Sequence, residues 1–136
     1  MKNSGILLVA SAAVIGACAT SPNSMYAKPY ALFQVETQKP DPLSRPAWVT
    51  RIDGKDVDPR RNDPVEPGVR QVEVSMTEPV GTTSQAKDRA VIEVDAKPCT
   101  RYYFSAKRSS LAASDWKPVA PASEPIGECV KAFNLK

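Results

Sequence analysis

The residue whose type and position most clearly indicate a chemical modification is Cys18, which directly follows an apolar stretch that begins at Ile6. Lys2 supplies a positive charge before that stretch, and Gly16 and Ala17 are small residues of the kind found at signal cleavage points. The stretch has roughly ten residues, whereas a membrane-spanning helix needs about 20. The amino terminus is therefore predicted to be a cleavable export signal and not a membrane span.

The run Ile15-Gly16-Ala17-Cys18 resembles a bacterial lipoprotein signal, with an aliphatic residue, two small residues and a cysteine. The resemblance implies cleavage before Cys18 and acylation of its thiol and new amino group. Ala19 stands where an acidic residue would retain many Gram-negative lipoproteins in the inner membrane, which implies the periplasmic face of the outer membrane. Ala17-Cys18-Ala19 also fits an ordinary secretory signal, so a soluble periplasmic or secreted protein is the alternative.

The other two cysteines, Cys99 and Cys129, form a pair once Cys18 is assigned to lipid. An oxidising compartment allows such a pair to form a disulfide. The closed loop of about 31 residues would be worth roughly 3–4 kcal/mol in the loop-entropy model. A metal site is disfavoured because the chain has no histidine and the cysteines lack ligand spacing. The absence of Cys-x-x-Cys disfavours a thioredoxin-like role.

The sequence lacks most of the residue combinations that form known catalytic sites. Without histidine there is no Ser-His-Asp or Cys-His nucleophile system. Ser105 and Lys107 share one face of a predicted strand, but no other catalytic group is predicted beside them. No glycine-rich phosphate loop and no cofactor site are predicted. The chain is therefore predicted not to be an enzyme.

Two groups of residues have a possible binding role. Carboxylates cluster around Asp53-Gly54-Lys55-Asp56, but their order does not match a calcium loop, and no metal site is predicted. Aromatic side chains could form a platform for a glycan or peptide, although aromatic residues on strands more often belong to the core. The candidate platform consists of Trp48, Tyr102, Tyr103 and Trp116.

Composition favours one small folded domain without nucleic-acid binding. The chain has 18 basic and 15 acidic residues, a formal net charge of +3, and removal of Lys2 with the signal lowers it by one. Arg60-Arg61 is the nearest approach to a basic patch, and Asp58 and Asp63 flank it. Thirteen prolines make long helices improbable. We predict a signal over residues 1–17, a lipid-anchored flexible tether over 18–28 and a β domain over 29–136.

The predicted β domain is built from short strands separated by turn signals. Asp53-Gly54 is a strong turn dipeptide, and Val72, Val74 and Met76 alternate toward one side of the clearest strand. Proline residues 40, 42 and 46 are expected to interrupt strand pairing. Residues 90–96 and 100–107 are close enough to form an antiparallel hairpin. The predicted strands are residues 30–35, 47–52, 69–76, 90–96, 100–107, 116–120 and 128–133, which predicts an all-β, small antiparallel sandwich.

Two segments resemble the pattern of PEGA-type modules, in which an Ile-Asp-Gly-Lys turn precedes a Pro-Gly turn and a Val-x-Val strand. They are Ile52-Asp53-Gly54-Lys55 and Glu66-Pro67-Gly68-Val69-Arg70-Gln71-Val72-Glu73-Val74. The later residues 98–104, 116–119 and Cys129 are similar to the second half of small bacterial lipoproteins with such modules. The resemblance implies an immunoglobulin- or transthyretin-like sandwich at the cell envelope, and it brings no functional residues.

The sequence leaves two functional hypotheses beside the disfavoured enzyme. The first is a structural or accessory envelope protein that binds another protein through loops or strand edges. The second is a carbohydrate- or peptidoglycan-binding module that uses the aromatic side chains. The proposed contact region of the first is the charged, exposed loop of residues 55–66, with Lys55, Asp56, Asp58, Arg60, Arg61, Asp63 and Glu66.

Overall fold

The structure is a computed structural model that describes residues 22–37, 41–78 and 88–136, in which nine strands form two sheets. A 3₁₀ helix, Pro22–Ala27, precedes the strands, and one α-helix, α1, follows them at Gly127–Ala132. The strands are β1 Ala31–Val35, β2 Ser44–Pro46, β3 Trp48–Ile52, β4 Lys55–Asp56, β5 Gly68–Ser75, β6 Arg89–Ala96, β7 Thr100–Arg108, β8 Trp116–Pro118 and β9 Ala122–Pro125. The predicted all-β class is confirmed.

The first sheet is organised around β7, the longest strand among the described residues. On one side β7 pairs with β1 in parallel and then with β2 antiparallel. On its other side the first half of β7 pairs with β9 and the second half with β8, both antiparallel. The pairing of β1 with β7 is the one departure from the predicted antiparallel arrangement among the described strands.

The second sheet is an antiparallel set in the order β4-β3-β5-β6. The predicted Asp53-Gly54 turn joins β3 to β4, with φ of 50° at Asp53 and 78° at Gly54. Left-handed backbone at both central residues suits the twist of a tight hairpin, and Asp and Gly are among the residues that adopt it.

The core lies between the two sheets and contains the side chains expected from strand alternation. Val72 and Val74 are fully buried and Met76 packs partly buried against them, which confirms the predicted core face of β5. From the other sheet, Phe33 meets Phe104 and Tyr102 edge to face, with ring centroids 5.2 and 5.7 Å apart. Such aromatic pairs add to the stabilisation from buried area.

The carboxyl-terminal segment forms a helix where a strand was predicted for residues 128–133. A short apolar run does not by itself distinguish the two, and Cys129, Val130 and Phe133 have a spacing that also suits one side of a helix. These residues pack with Leu32 and Ile126 into a second apolar cluster. The predicted disulfide is present: Cys99 and Cys129 are bonded, with their Cα atoms 5.2 Å apart. It therefore joins β7 to α1, not to a terminal strand.

The predicted hairpin between residues 90–96 and 100–107 is wrong. β6 pairs with β5 and β7 pairs with β1, so the connection at residues 97–99 crosses from one sheet to the other. The Tyr102 hydroxyl holds this crossover, because it accepts the Lys97 N–H at 2.8 Å and donates to the Asp95 carbonyl at 3.1 Å. Proximity in sequence favours a hairpin, but the two strands bury their apolar faces from opposite sides of the core.

Other differences from the sequence-based expectation concern short elements. β2, β4 and β9 were not predicted, and β2 includes Pro46, which was expected to interrupt pairing. Proline is tolerated at the end of a peripheral strand, where no further ladder bond is needed. Residues 22–27 form the 3₁₀ helix inside the predicted flexible tether. Cys18 and the predicted signal lie outside the described residues, as does Pro40.

Candidate protein-binding site

Among the described residues, the outer edge of β1 is paired only at its start. The Tyr30 carbonyl accepts the Cys99 N–H and the Glu36 N–H donates to the Phe104 carbonyl, so the even-numbered residues of this strand face β7. Backbone groups alternate in direction along a strand, and those of Ala31, Phe33 and Val35 therefore point away from β7. Among the described residues, a two-way backbone pair with Val65, at 2.8 and 2.9 Å, covers this edge at Ala31, and no strand pairs with it beyond that point.

The segment that ends at Val65 is anchored in the sandwich, which corrects the prediction that residues 55–66 form one exposed loop. Lys55–Asp56 is strand β4, and Pro64 and Val65 are buried. Val65 belongs to the main core, and Val57 packs against it from the start of the loop. Only the tip between these anchors is exposed, at residues 60–63.

The charged residues of the predicted contact loop are largely paired with one another or with neighbours. Asp58 organises the tip, because its carboxylate accepts the Arg60 N–H and its carbonyl accepts the Arg61 N–H, both at 3.0 Å. Arg61 lies 3.1 Å from Asp63, and Arg60 lies 3.6 Å from Glu78. Exposed ion pairs of this kind contribute little to stability, so these charges are available for exchange with a partner.

The start and end of the same loop are charged and exposed. The Asp56 carboxylate binds Arg51 at 2.6 Å across the β3–β4 hairpin, and Lys55 is exposed beside it. The Glu66 side chain is 79% exposed and lies 3.7 Å from Arg70. The structure thus places every charged side chain of the predicted contact region on the surface or at its margin.

A small cavity of about 70 Å³ lies between the open edge of β1 and the loop tip. Its floor consists of core side chains, and its rim carries charges of both signs. The lining residues are Phe33, Val49, Ile52, Val57, Asp58, Arg61, Asp63, Pro64 and Val65. An apolar floor next to a strand edge with which no described strand pairs is the arrangement that strand addition uses, with main-chain bonds for affinity and a pocket for a side chain.

Arg70 joins the two turns that resemble the PEGA pattern, which lie at the two ends of the loop of residues 55–66. Its guanidinium donates to the Glu66 and Pro67 carbonyls at 2.9 and 3.1 Å and to the Asp53 carboxylate at 3.0 Å. The other oxygen of Asp53 accepts the Gln71 N–H at 2.9 Å. The residues of these two motifs therefore hold the two turns together at the ends of the loop.

These contacts change the titration of Asp53. The Gln71 N–H, and then the Arg70 guanidinium, hold the pKa of the Asp53 carboxyl below its ordinary value because both favour the charged form. A carboxylate with a lowered pKa in the folded state contributes stability above its ordinary pKa and loses it as the pH falls through the folded value.

We expect the domain to lose stability as the pH falls below about 4, and Asp53→Asn to reduce that loss. Asparagine tolerates the left-handed backbone of this turn but cannot pair with the Arg70 charge, so the variant should also melt a few degrees lower at neutral pH. Thermal unfolding between about pH 7 and pH 2 measures both effects. Asp88→Asn, which removes another exposed carboxylate, is the matched control. Superimposable acid profiles for wild type and Asp53→Asn would contradict the assignment.

The four aromatic residues of the predicted platform do not form one. Tyr102 is buried in the core, and Tyr103 lies on the opposite face of the same strand. Trp48 lies in the second sheet and Trp116 packs against the core from the first. No ring contact joins any two of the four among the described residues. The four residues were grouped because all are aromatic. Residue type alone does not indicate which face of a strand is exposed to solvent.

Tyr103, which is partly buried like Trp48 and Trp116, is hydrogen-bonded within the protein. The Tyr103 hydroxyl donates to the Glu124 carboxylate at 2.6 Å, and Arg101 donates to the same oxygen at 3.1 Å. The Tyr103 hydrogen bond, and then Arg101, hold the pKa of Glu124 below its ordinary value. This cluster ties the edge strand β9 to β7 and has a structural role.

Lys107, which was considered with Ser105 for catalysis, has an ion-pair partner of its own. Lys107 pairs with Asp41 at 3.0 Å, at the far end of β7 from the crossover. In the parts of the chain that the structure describes, no three histidine, cysteine, aspartate or glutamate side chains come together as a metal site.

Sequence reasoning missed the β1 edge and the anchoring role of Val65. A signal was present, since Val65 is an apolar residue between two prolines in a charged stretch.

None of the helices in residues 22–37, 41–78 and 88–136 has the length and hydropathy needed to cross a bilayer. No family model, curated protein or solved structure matches the chain.

Proposed function

We propose that this protein is an exported, lipid-anchored envelope protein that binds another envelope protein by adding a strand of that partner to β1. The observation that carries the proposal is the open β1 edge, beside an apolar cavity and a charged loop tip. Proteins usually protect such an edge with a short strand, a charge, a proline or a covering segment. Here Val65 covers one end of the edge, and Phe33 and Val35 offer backbone groups beyond it.

Two features support the envelope location. The Ile15-Gly16-Ala17-Cys18 run resembles a lipoprotein signal, and Ala19 favours the periplasmic face of the outer membrane. The Cys99–Cys129 disulfide is typical of proteins that fold in an oxidising compartment. The partner is then another protein of the same compartment, and its binding requires no catalysis by this chain.

Val35→Pro tests the strand-addition site. The Val35 N–H points away from β7, so proline removes a donor at the open edge without removing a bond of the β1–β7 ladder. Proline also favours an extended conformation at the residue before it, which suits Gln34 in a strand. We expect a crosslinking pull-down from intact envelopes to lose its specific partner, while the melting temperature changes little.

Val35→Ala is the matched control, because it removes more of the side chain but keeps the N–H. Partner recovery should survive in this control. Replacing residues 60–62 with Gly-Ser-Gly, with Val57, Pro64 and Val65 retained, tests the loop tip separately. Full recovery with Val35→Pro and loss with the tip replacement would show that the loop, and not the edge, makes the contact. Full recovery with both would refute the site.

A further inference from the structure

The chain enters the sandwich at one defined end. The Tyr30 carbonyl accepts the Cys99 N–H, so the 3₁₀ helix and residue 30 lie where both β1 and β7 begin. A cavity of about 230 Å³ brings Met25 together with the turn residues Asp53 and Lys55. The 3₁₀ helix, the start of β1 and the β3–β4 turn therefore share this end, which we call the entry end.

Two large hydrophobic side chains are exposed at the entry end. Met25 is 44% exposed and Tyr26 is 46% exposed. The Tyr26 ring packs edge-on against Tyr30 with centroids 5.0 Å apart, and its hydroxyl donates to the Asn62 carbonyl at 3.3 Å. These contacts hold Tyr26 in place while leaving nearly half of it open to its surroundings.

An open groove of about 530 Å³ lies beside these side chains. Its lining is mainly apolar, and the exposed residues Lys28 and Glu66 add one charge of each sign. The other lining residues are Met25, Pro29, Tyr30, Pro64, Val65 and Pro67. Tyrosine and lysine beside apolar side chains are the combination that sits at the boundary between lipid headgroups and acyl chains.

The length of the connecting chain indicates what covers this surface. Four residue steps separate Cys18 from Pro22, where the described structure begins, and they span at most about 14 Å even when extended. If Cys18 carries acyl chains, as proposed above, the entry end cannot move farther than this from the bilayer. We infer that the Met25, Tyr26 and Lys28 surface lies against the phospholipid headgroup layer and sets the orientation of the domain.

This orientation has a consequence for the partner site. The strands β1 and β7 run away from the entry end, and Leu111, 65% exposed, follows the far end of β7, about 26 Å from its start. The open β1 edge then faces sideways, close to the membrane surface. A partner that adds a strand there approaches along the membrane.

The test uses the purified acylated protein in vesicles of phosphatidylethanolamine and phosphatidylglycerol, part of whose acyl chains are brominated to quench tryptophan. Tyr26→Trp places a reporter at the entry end, and Leu111→Trp places one at the far end as the matched control. Trp48 and Trp116 are common to both variants and cancel in the comparison. We expect brominated lipid to remove much of the emission added at position 26 and none of that added at position 111.

The possible failures are distinguishable. Mass analysis of the amino terminus of the same preparation reports whether Cys18 is acylated. An acylated protein with equal quenching, or none, at both positions would overturn the inference and leave the anchor intact. A protein without acyl chains would overturn both. A photocrosslinker at position 26 that captures a protein in intact envelopes, and no lipid, would assign the surface to the partner and overturn the inference alone.

Discussion

Replacement of Cys99 and Cys129 by alanine is expected to lower the free energy of unfolding by about 3–4 kcal/mol, because the bond closes a loop with a sequence separation of 30. For a domain of this size the melting temperature should fall by roughly 10 °C or more. Alanine is chosen instead of serine because both cysteines are buried, and serine would place an unpaired hydroxyl in the core. Denaturant unfolding of the purified protein measures the change.

We expect the loss of stability to affect α1 before the rest of the domain. This helix is only six residues long, too short to be stable alone, and the second apolar cluster and the disulfide hold it to the sheet. Hydrogen exchange is therefore expected to accelerate in residues 127–132 before it does in β5 and β6. Reducing agent should destabilise wild type to the level of the double variant and leave the double variant unchanged. Equal stability of oxidised wild type and the double variant would refute the prediction.

Cys18→Ser is expected to abolish the proposed membrane anchoring almost completely. The hydroxyl cannot form the thioether through which a lipoprotein signal is recognised and processed. Metabolic labelling with palmitate should disappear, and the protein should move to the soluble periplasm or accumulate as its uncleaved precursor. The Cys99→Ala, Cys129→Ala double variant is the control, since it keeps Cys18 and should stay labelled and membrane-bound.

If the signal is an ordinary secretory signal, the wild-type protein should have a different amino terminus and no lipid. Cleavage after Ala19 would give an unmodified amino terminus at Thr20 and a soluble protein without Cys18. Unchanged membrane partitioning of Cys18→Ser would also count against the lipid anchor. Either result would remove the support that the anchor gives to the orientation of the domain, while leaving the β1 edge to be tested by Val35→Pro.

What the sequence by itself determined is the local structure. The Asp53-Gly54 turn followed from residues that tolerate left-handed backbone, and the buried face of Val72 and Val74 followed from alternation with a period of two. The disulfide followed from counting cysteines in a chain predicted to be exported, which left a single pair. Each of these inferences depends on neighbouring residues or on a count, and none requires the chain's path in space.

Only the tertiary structure decided which strands pair and which surface is left open. The pattern of β6 and β7 suits a hairpin, but their core faces belong to different sheets, and alternation does not name a strand's partner. Residues 127–132 form a helix because packing onto Leu32 and the bond to Cys99 outweigh a weak local preference. The parallel pairing of β1 with β7 and the bridge at Val65 leave Phe33 and Val35 at an edge with which no described strand pairs. This site joins residues far apart in the chain, so the apolar Val65 between two prolines indicates a buried anchor but does not predict that it pairs with Ala31.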